Sequence, residues 1–358
     1  MLLHFPFSSG RDYVIMSKTD TIKIGLLISD KKYVAAKYGA EMAISKANAN
    51  GGCNGIPFKL EIRSLEGPWG TGSKEAVSLI FENEVWAIMG SHNGRNAHLA
   101  EQVTAKARIV FLSAWAADPT LSQAFVPWYF SCVPNNNQQA EVLINEIYNK
   151  KKFNKIAIVA ENSYDAEFAL KSFVNKITVI GKVNPFQIRY NIADKDFEII
   201  AKKIISEKPE CITLFGTPSS SIKIIEILKD KGFNLPVFCS LSNLDENELA
   251  GKNLSVYEGI TVISSEHWFD PEGAEFKREF KKIHSNEPGS VAAYAYDGMN
   301  LIIEAIRIAA PDREKVQEAM TNIRYEGVTG TIRFDERGNR KGPFHLIKVM
   351  NGTPVKAE

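Results

Sequence analysis

The stretch "EGPWGTGSKEA", Glu66 to Ala76, comes within one transposition of the phosphate-cradling pattern G-x-x-x-x-G-K-[ST]. Gly67 and Gly72 have the required spacing, but the next pair is Ser73-Lys74 where the pattern needs Lys followed by a hydroxyl. In a P-loop the lysine reaches the β/γ-phosphates and the hydroxyl meets Mg²⁺. Exchanging the two turns the ammonium by one helical position, about 100° at 3.6 residues per turn. No apolar strand ending in a magnesium-binding Asp accompanies the loop, so nucleotide chemistry is disfavoured. G-x-S-x-G and H-E-x-x-H do not occur. Of the six histidines only His92 and His98 are close, and a separation of six does not place them on one helical face. His92 either faces a ligand or is solvated. No base, nucleophile and oxyanion site converge. Cys53, Cys132, Cys211 and Cys239 form no C-x-x-C and read as packed thiols; Cys211 and Cys239, both in strand-like runs, are either neighbours or a bridge.

The elements that must position any site follow a regular beat. Strand-like "TIKIGLLIS" is followed by a helix pattern to Asn50 that closes on Gly51-Gly52. "FKLEIRSLE", "VWAIMG" and "RIVFLS" are further strands, with helix patterns between them. The beat restarts after "YFSCVPNNNQQA" with the strands "KIAIVA", "CITLFG", "PVFCS" and "GITVIS", again separated by helices. Three late helix patterns cover 273–323, and the chain closes with two hairpin-like strands, "TGTIRFDERGN" and "PFHLIKVMNG". Alternation of this kind predicts an α/β fold: two doubly wound lobes with parallel sheets, and a cleft at the carboxyl ends of facing strands. The late helices have no strands of their own and must cover the first sheet. The expected division is residues 21–134 with 264–326, and 135–263 with 327–358. Residues 1–20 form an N-terminal extension expected to be disordered, and they make a poor signal peptide. A net charge of +1 leaves no electrostatic footprint for nucleic acid, and no run is long enough to span a membrane.

In order and spacing, "KYGAEMAISKANANGGCNG", "KEAVSLIFEN", "AIMGSHNGRNA", "VFLSAWAADPTL", "KIAIVAENSYDAEF", "AAYAYDGMNLI" and "VTGTIRFDERGNRKG" resemble the type I periplasmic binding proteins, in the branched-chain amino acid branch that serves ABC transporters. The resemblance covers nearly the whole chain from Thr21. It implies two lobes that close about a hinge on a small ligand, with a permease as partner, an extracytoplasmic location, a monomer, and no catalysis, metal, cofactor or nucleic acid. It makes the Glu66–Ser73 loop part of the cleft rim, with Trp69 either a wall or packed on its own loop. It implies that the turns after "VWAIMG" and "RIVFLS" hold a ligand carboxylate. Asn93, Gly94, Arg95, Ser113, Trp115 and Ala117 lie there, and helix N-termini with unpaired N–H groups favour anions.

The side chains depart from that family. Its first-turn Ser aligns with Gly94 and its second-turn Thr with Ala117, so both hydroxyls are lost. Arg95 is a substitute that can hold a carboxylate bidentately, or else a solvated helix-start arginine. Tyr164 matches a tyrosine that closes over the ligand, beside Asp165. Pro218, with Thr217 and Ser219, lies near the next strand end, and Tyr38 matches a contact after the first strand. Ser242, next to Asn243, stands where the family has the acidic partner of the ligand's ammonium; Asp165 or Asp245 is a replacement. The expected ligand is a small carboxylate-bearing solute, amino acid-like or an aromatic or organic acid. The alternative is a sensing receptor domain of the same fold without a transport role. Tyr296-Asp297 is expected to support the lobe and hinge.

Overall fold

The computed structural model describes residues 21–357 except 69, 195, 266–272 and 352. Residues 1–20 and Trp69 therefore lie outside the described residues. Ile22–Ile28 (β1) is buried along almost its whole length, as a strand covered on both faces requires. Ala35–Ala49 (α1) follows and ends at Gly51 and Gly52, whose φ of 88° and 63° suit glycine. At Gly52 a Cβ would stand 2.2 Å from the Ile56 carbonyl oxygen, so the tight return to the next strand also excludes a side chain. Phe58–Ser64 (β2), Thr71–Phe81 (α2), Ala87–Ser91 (β3), Gly94–Ala107 (α3), Val110–Ser113 (β4) and Tyr129–Ser131 (β5) complete a parallel sheet of order β2-β1-β3-β4-β5.

The second series runs Asn136–Ile144 (α4), Ile156–Glu161 (β6), Tyr164–Val179 (α5), Phe186–Tyr190 (β7), Phe197–Glu207 (α6), Cys211–Phe215 (β8), Pro218–Asp230 (α7), Val237–Cys239 (β9), Glu246–Leu249 (α8) and Thr261–Ser264 (β10). Ala274–His284 (α9), Ser290–Ala309 (α10) and Val316–Asn322 (α11) come next. Tyr325–Gly327 (β11), Gly330–Ile332 (β12), His345–Met350 (β13) and Thr353–Lys356 (β14) end the chain. The second sheet has the order β14-β13-β10-β9-β8-β6-β7. Strands β6 to β10 are parallel, while β13 and β14 add an antiparallel edge. Helix α10, buried on nearly every side, packs on α1 and reaches β3 and β4, so the late helices do cover the first sheet.

Two expectations change, and the alternative left open for the cysteines closes. Strand β7 lies between two helix patterns and escapes sequence reading because it is an edge strand with only Ile188 and Tyr190 buried. The two final strands do not pair with each other: β12 pairs with β11, and β13 crosses to lie antiparallel to β10. The cysteines are the packed thiols expected: Cys211 and Cys239 do not bridge, Cys239 sits opposite Leu214, and all four are buried and free.

Three segments of chain pass between the sheets, and buried polar groups tie them together. Arg340, 2% exposed, donates to the Cys132 carbonyl at 3.0 Å and to Thr329 Oγ1 at 2.9 Å. Asp297, on α10, accepts from the amides of Val328 and Thr329 and from Thr329 Oγ1 at 2.6–2.9 Å. The Ser265 amide donates to the Tyr294 hydroxyl at 3.1 Å. A buried arginine and carboxylate are tolerable only with such hydrogen bonding.

Candidate functional site

The carboxyl ends of β1, β3 and β4 face those of β6, β8 and β9 across a cavity of about 330 Å³. One wall carries Ile28 and Ser29, the start of α1, Asn93, and the turn Trp115–Ala117. The other carries Ser163 and Asp165 at the start of α5, Gly216–Pro218 at the start of α7, and Ser240–Ser242 with Asp245, Asn247 and Glu248. Asn136 and Gln139 of α4 line it where the chain first crosses.

Among the expected residues, Asn93, Trp115, Ala117, Asp165, Pro218 and Ser242 line this cavity. Trp115 meets the Tyr294 ring edge-on at 6.3 Å. The amides of Trp115 and Ala117 donate to no described residue. Ser242 Oγ lies 2.9 Å from Ser240 Oγ, within the turn after β9. The other expected residues stand elsewhere. Tyr38 stacks on His284 at 4.0 Å, because two residues along α1 from the cavity-lining Ala36 is about 200° of rotation. Arg95 is exposed and outside the lining. Ser113 is buried behind the turn and donates to the Ala116 carbonyl at 3.3 Å. Asn243 is buried and accepts from Tyr257 at 3.1 Å. Tyr164 does not form a wall: its hydroxyl donates to Asp118 Oδ2 at 2.9 Å, joining α5 to the first sheet's β4 turn. His92, weighed as a ligand contact, does line the cavity, but it is 2% exposed and stacks on Phe111; burial pushes its pKa down to about 4, so it stays neutral.

Gly94, at the start of α3, has a partner within the chain. Its amide donates to Asp165 Oδ1 at 2.9 Å, so a carboxylate of the protein occupies the helix N-terminus expected to hold a ligand's. The lost hydroxyl matters here, because a Cβ on Gly94 would lie 3.0 Å from that oxygen. The same device recurs twice. Helices α1 and α10 have no side-chain cap of their own. Asn247 Oδ1 accepts from the Ala35 amide at 3.1 Å. Glu246 accepts from the amides of Gly289, Val291 and Ala292 at 3.2, 2.8 and 2.7 Å. Three helix N-termini of one wall thus find their acceptors on the other, satisfying N–H groups that would otherwise be orphaned. Tyr33 adds a hydrogen bond to Glu248 across the same gap.

The electrostatics are one-sided. Asp165, Asp245 and Glu248 line the cavity, and among the described lining residues there is no lysine or arginine. Burial pushes Asp165 up to about 6, opposed by the Gly94 amide and aided by Asp118 and Glu161. Burial likewise raises Asp245 to about 6 and Glu246 to about 7, the latter helped by Asp245 beside it. Behind the β4 turn, hydrogen bonds to Asp118 and Glu101 raise His98 to about 9, so a cation sits under Asp118. Asp118 is held below the usual carboxylate range although burial opposes this; hydrogen bonds from His98, Thr120 and Tyr164 outweigh it.

A description of the periplasmic binding protein family matches residues 21–353, almost the whole chain. The chain belongs to the periplasmic binding protein family. Among relatives of this periplasmic binding protein, Leu/Ile/Val-binding protein homolog 1 of Brucella melitensis is 24% identical, over 86% of this chain and 83% of the relative. The isoleucine complex of the branched-chain amino acid substrate-binding protein LivJ from Streptococcus pneumoniae superposes with a TM-score of 0.83 at 20% identity, over 94% of this chain and 100% of that one. A solute-binding protein of an ABC transporter from R. palustris, in complex with benzoate, gives 0.79 at 16% identity, over 94% and 95%. These structural likenesses establish the fold.

Sequence reading missed Tyr33, Asn136, Gln139, Ser163, Asn247 and Glu248 as lining residues of this binding protein, and it weighed Asp245 without placing it. One signal was available. "LDENEL" has an N-cap Asp followed by acidic first-turn residues, which marks a helix start after β9. "PNNNQQ" likewise encodes a capping box, Asn135 with Gln138, which sets Asn136 and Gln139 at the cavity.

Proposed function

We propose that this protein is the substrate-binding component of an ABC-type uptake system, held outside the cytoplasm and served by a permease. It takes an amino acid-like solute by closing two halves, residues 21–134 with 264–326 and 135–263 with 327–358, and it alters no covalent bond. The observation that carries this reading is the division of donors and acceptors across the cavity. Free backbone amides at Trp115 and Ala117 suit a carboxylate on one wall. Asp245 on the other suits an ammonium, replacing the acid that is absent at Ser242. Trp115, Ile28, Ala166 and Val291 supply apolar surface between them. The acidic wall favours an α-amino acid over a bare aromatic acid, whose single charge would meet carboxylates of its own sign. Volume fits as well, since about 330 Å³ is at the small end of ligand pockets. Family membership and the names of the relatives agree with transport.

A thermal-shift panel of amino acids, aromatic acids, dicarboxylates and amides tests the proposal. A solute at 100 times its Kd stabilises the folded chain by about 2.7 kcal/mol, which reads as a clear upward shift. Amino acids should give it. A panel in which no amino acid shifts the transition overturns the reading.

A further inference from the structure

The acidic groups of the cavity fall at two separate poles. Asp245 and Glu248 follow β9, whereas Asp165 follows β6, and β8 runs between these strands. Glu248 is engaged at both oxygens, by Tyr33 and by Ser219. Asp245 is bonded by its own turn, through Asn247. Asp165 uses Oδ1 for Gly94, and Oδ2 accepts from no described residue. A solute with a single ammonium satisfies one pole and leaves the other as a desolvated negative charge, which is costly. A second observation also points to a polar solute. His92 is only 2% exposed and lines the cavity, and while its Nδ1 meets the Asn93 carbonyl at 3.1 Å, its buried Nε2 makes no hydrogen bond to any described residue. A buried ring nitrogen without a partner is expected to find one in the ligand.

We propose that the solute carries cationic groups at both ends, so that it is a basic amino acid whose α-ammonium lies toward Asp245 and whose side-chain cation lies toward Asp165. This rests on the amino acid reading above and refines it. Apolar amino acids of similar length then bind more weakly because they leave Asp165 without a counter-charge.

Calorimetric titration at pH 8 of the full chain with L-lysine, L-ornithine, L-norleucine, L-leucine and cadaverine separates the possibilities. Lysine or ornithine should bind at least tenfold more tightly than norleucine. Asp165→Asn keeps an oxygen for the Gly94 amide and removes the charge, so it should cut that preference about tenfold while the variant stays folded. Asp245→Asn, which keeps its turn acceptor, should weaken both classes and serves if the first variant does not fold. Norleucine or leucine binding as tightly as lysine overturns the inference and leaves the amino acid reading standing. So does an Asp165→Asn preference equal to that of the parent. Cadaverine binding where no amino acid binds supports the charge inference and overturns the amino acid reading. Absence of binding by all five overturns the inference.

Discussion

Glu246 offers a quantitative test of the contacts that join the two walls. Its carboxylate accepts three amides at the start of α10, yet burial and the neighbouring Asp245 raise its pKa from an ordinary 4.5 to about 7. The folded chain therefore holds this proton more tightly than the unfolded chain. The stability this contributes is fully present below about pH 4.5 and is lost as pH rises through about 7. At 1.36 kcal/mol per tenfold change, the full loss is roughly 3 kcal/mol, of which about 2–3 falls between pH 5 and 8. Glu246→Gln mimics the protonated form and does not titrate. Urea unfolding of parent and variant at pH 5 and pH 8 isolates the group, because the other titrating groups cancel in the difference. The variant should gain about 2–3 kcal/mol on the parent between the two pH values. A difference that stays constant within about 0.5 kcal/mol would refute the reasoning, since the carboxylate would then be solvated and not wedged against α10.

Further outcomes follow from neighbouring contacts. Tyr164→Phe removes the hydroxyl that joins α5 to Asp118, a hydrogen bond to a charged group worth about 1.5–3 kcal/mol. Calorimetry should show solute affinity falling about tenfold or more, although the ring lines no part of the cavity. Affinity for a cationic solute should weaken as pH drops below about 6, where Asp165 and Asp245 take up protons; titrations at pH 8 and pH 5 check the direction. Arg340→Ala strips donors from the Cys132 carbonyl and Thr329 and removes a cation near buried Asp297. It should destabilise the chain by about 3–5 kcal/mol in denaturant unfolding.

Much of the fold was legible because its strands are apolar runs separated by amphipathic helices, a pattern that survives without any homologue. The lapses came where burial is partial or pairing is distant. Strand β7 shows only two buried residues, and nothing local says that His345–Met350 will cross to β10. The cavity lining was legible at the strand ends, where Asn93, Trp115, Ala117, Asp165, Pro218 and Ser242 stand. It failed where rotation about a helix decides. Tyr38 and Tyr33 are both near the start of α1, but only Tyr33 faces the gap. Asp165 could not be foreseen on the Gly94 amide, since that contact depends on how two distant helix starts meet.

Native mass spectrometry of the purified chain with a pooled amino acid panel, followed by release and weighing of whatever is retained, tests the central claim most directly. The account predicts one solute molecule per chain, recovered with unchanged mass. No retained solute, or a recovered molecule of altered mass, would contradict it.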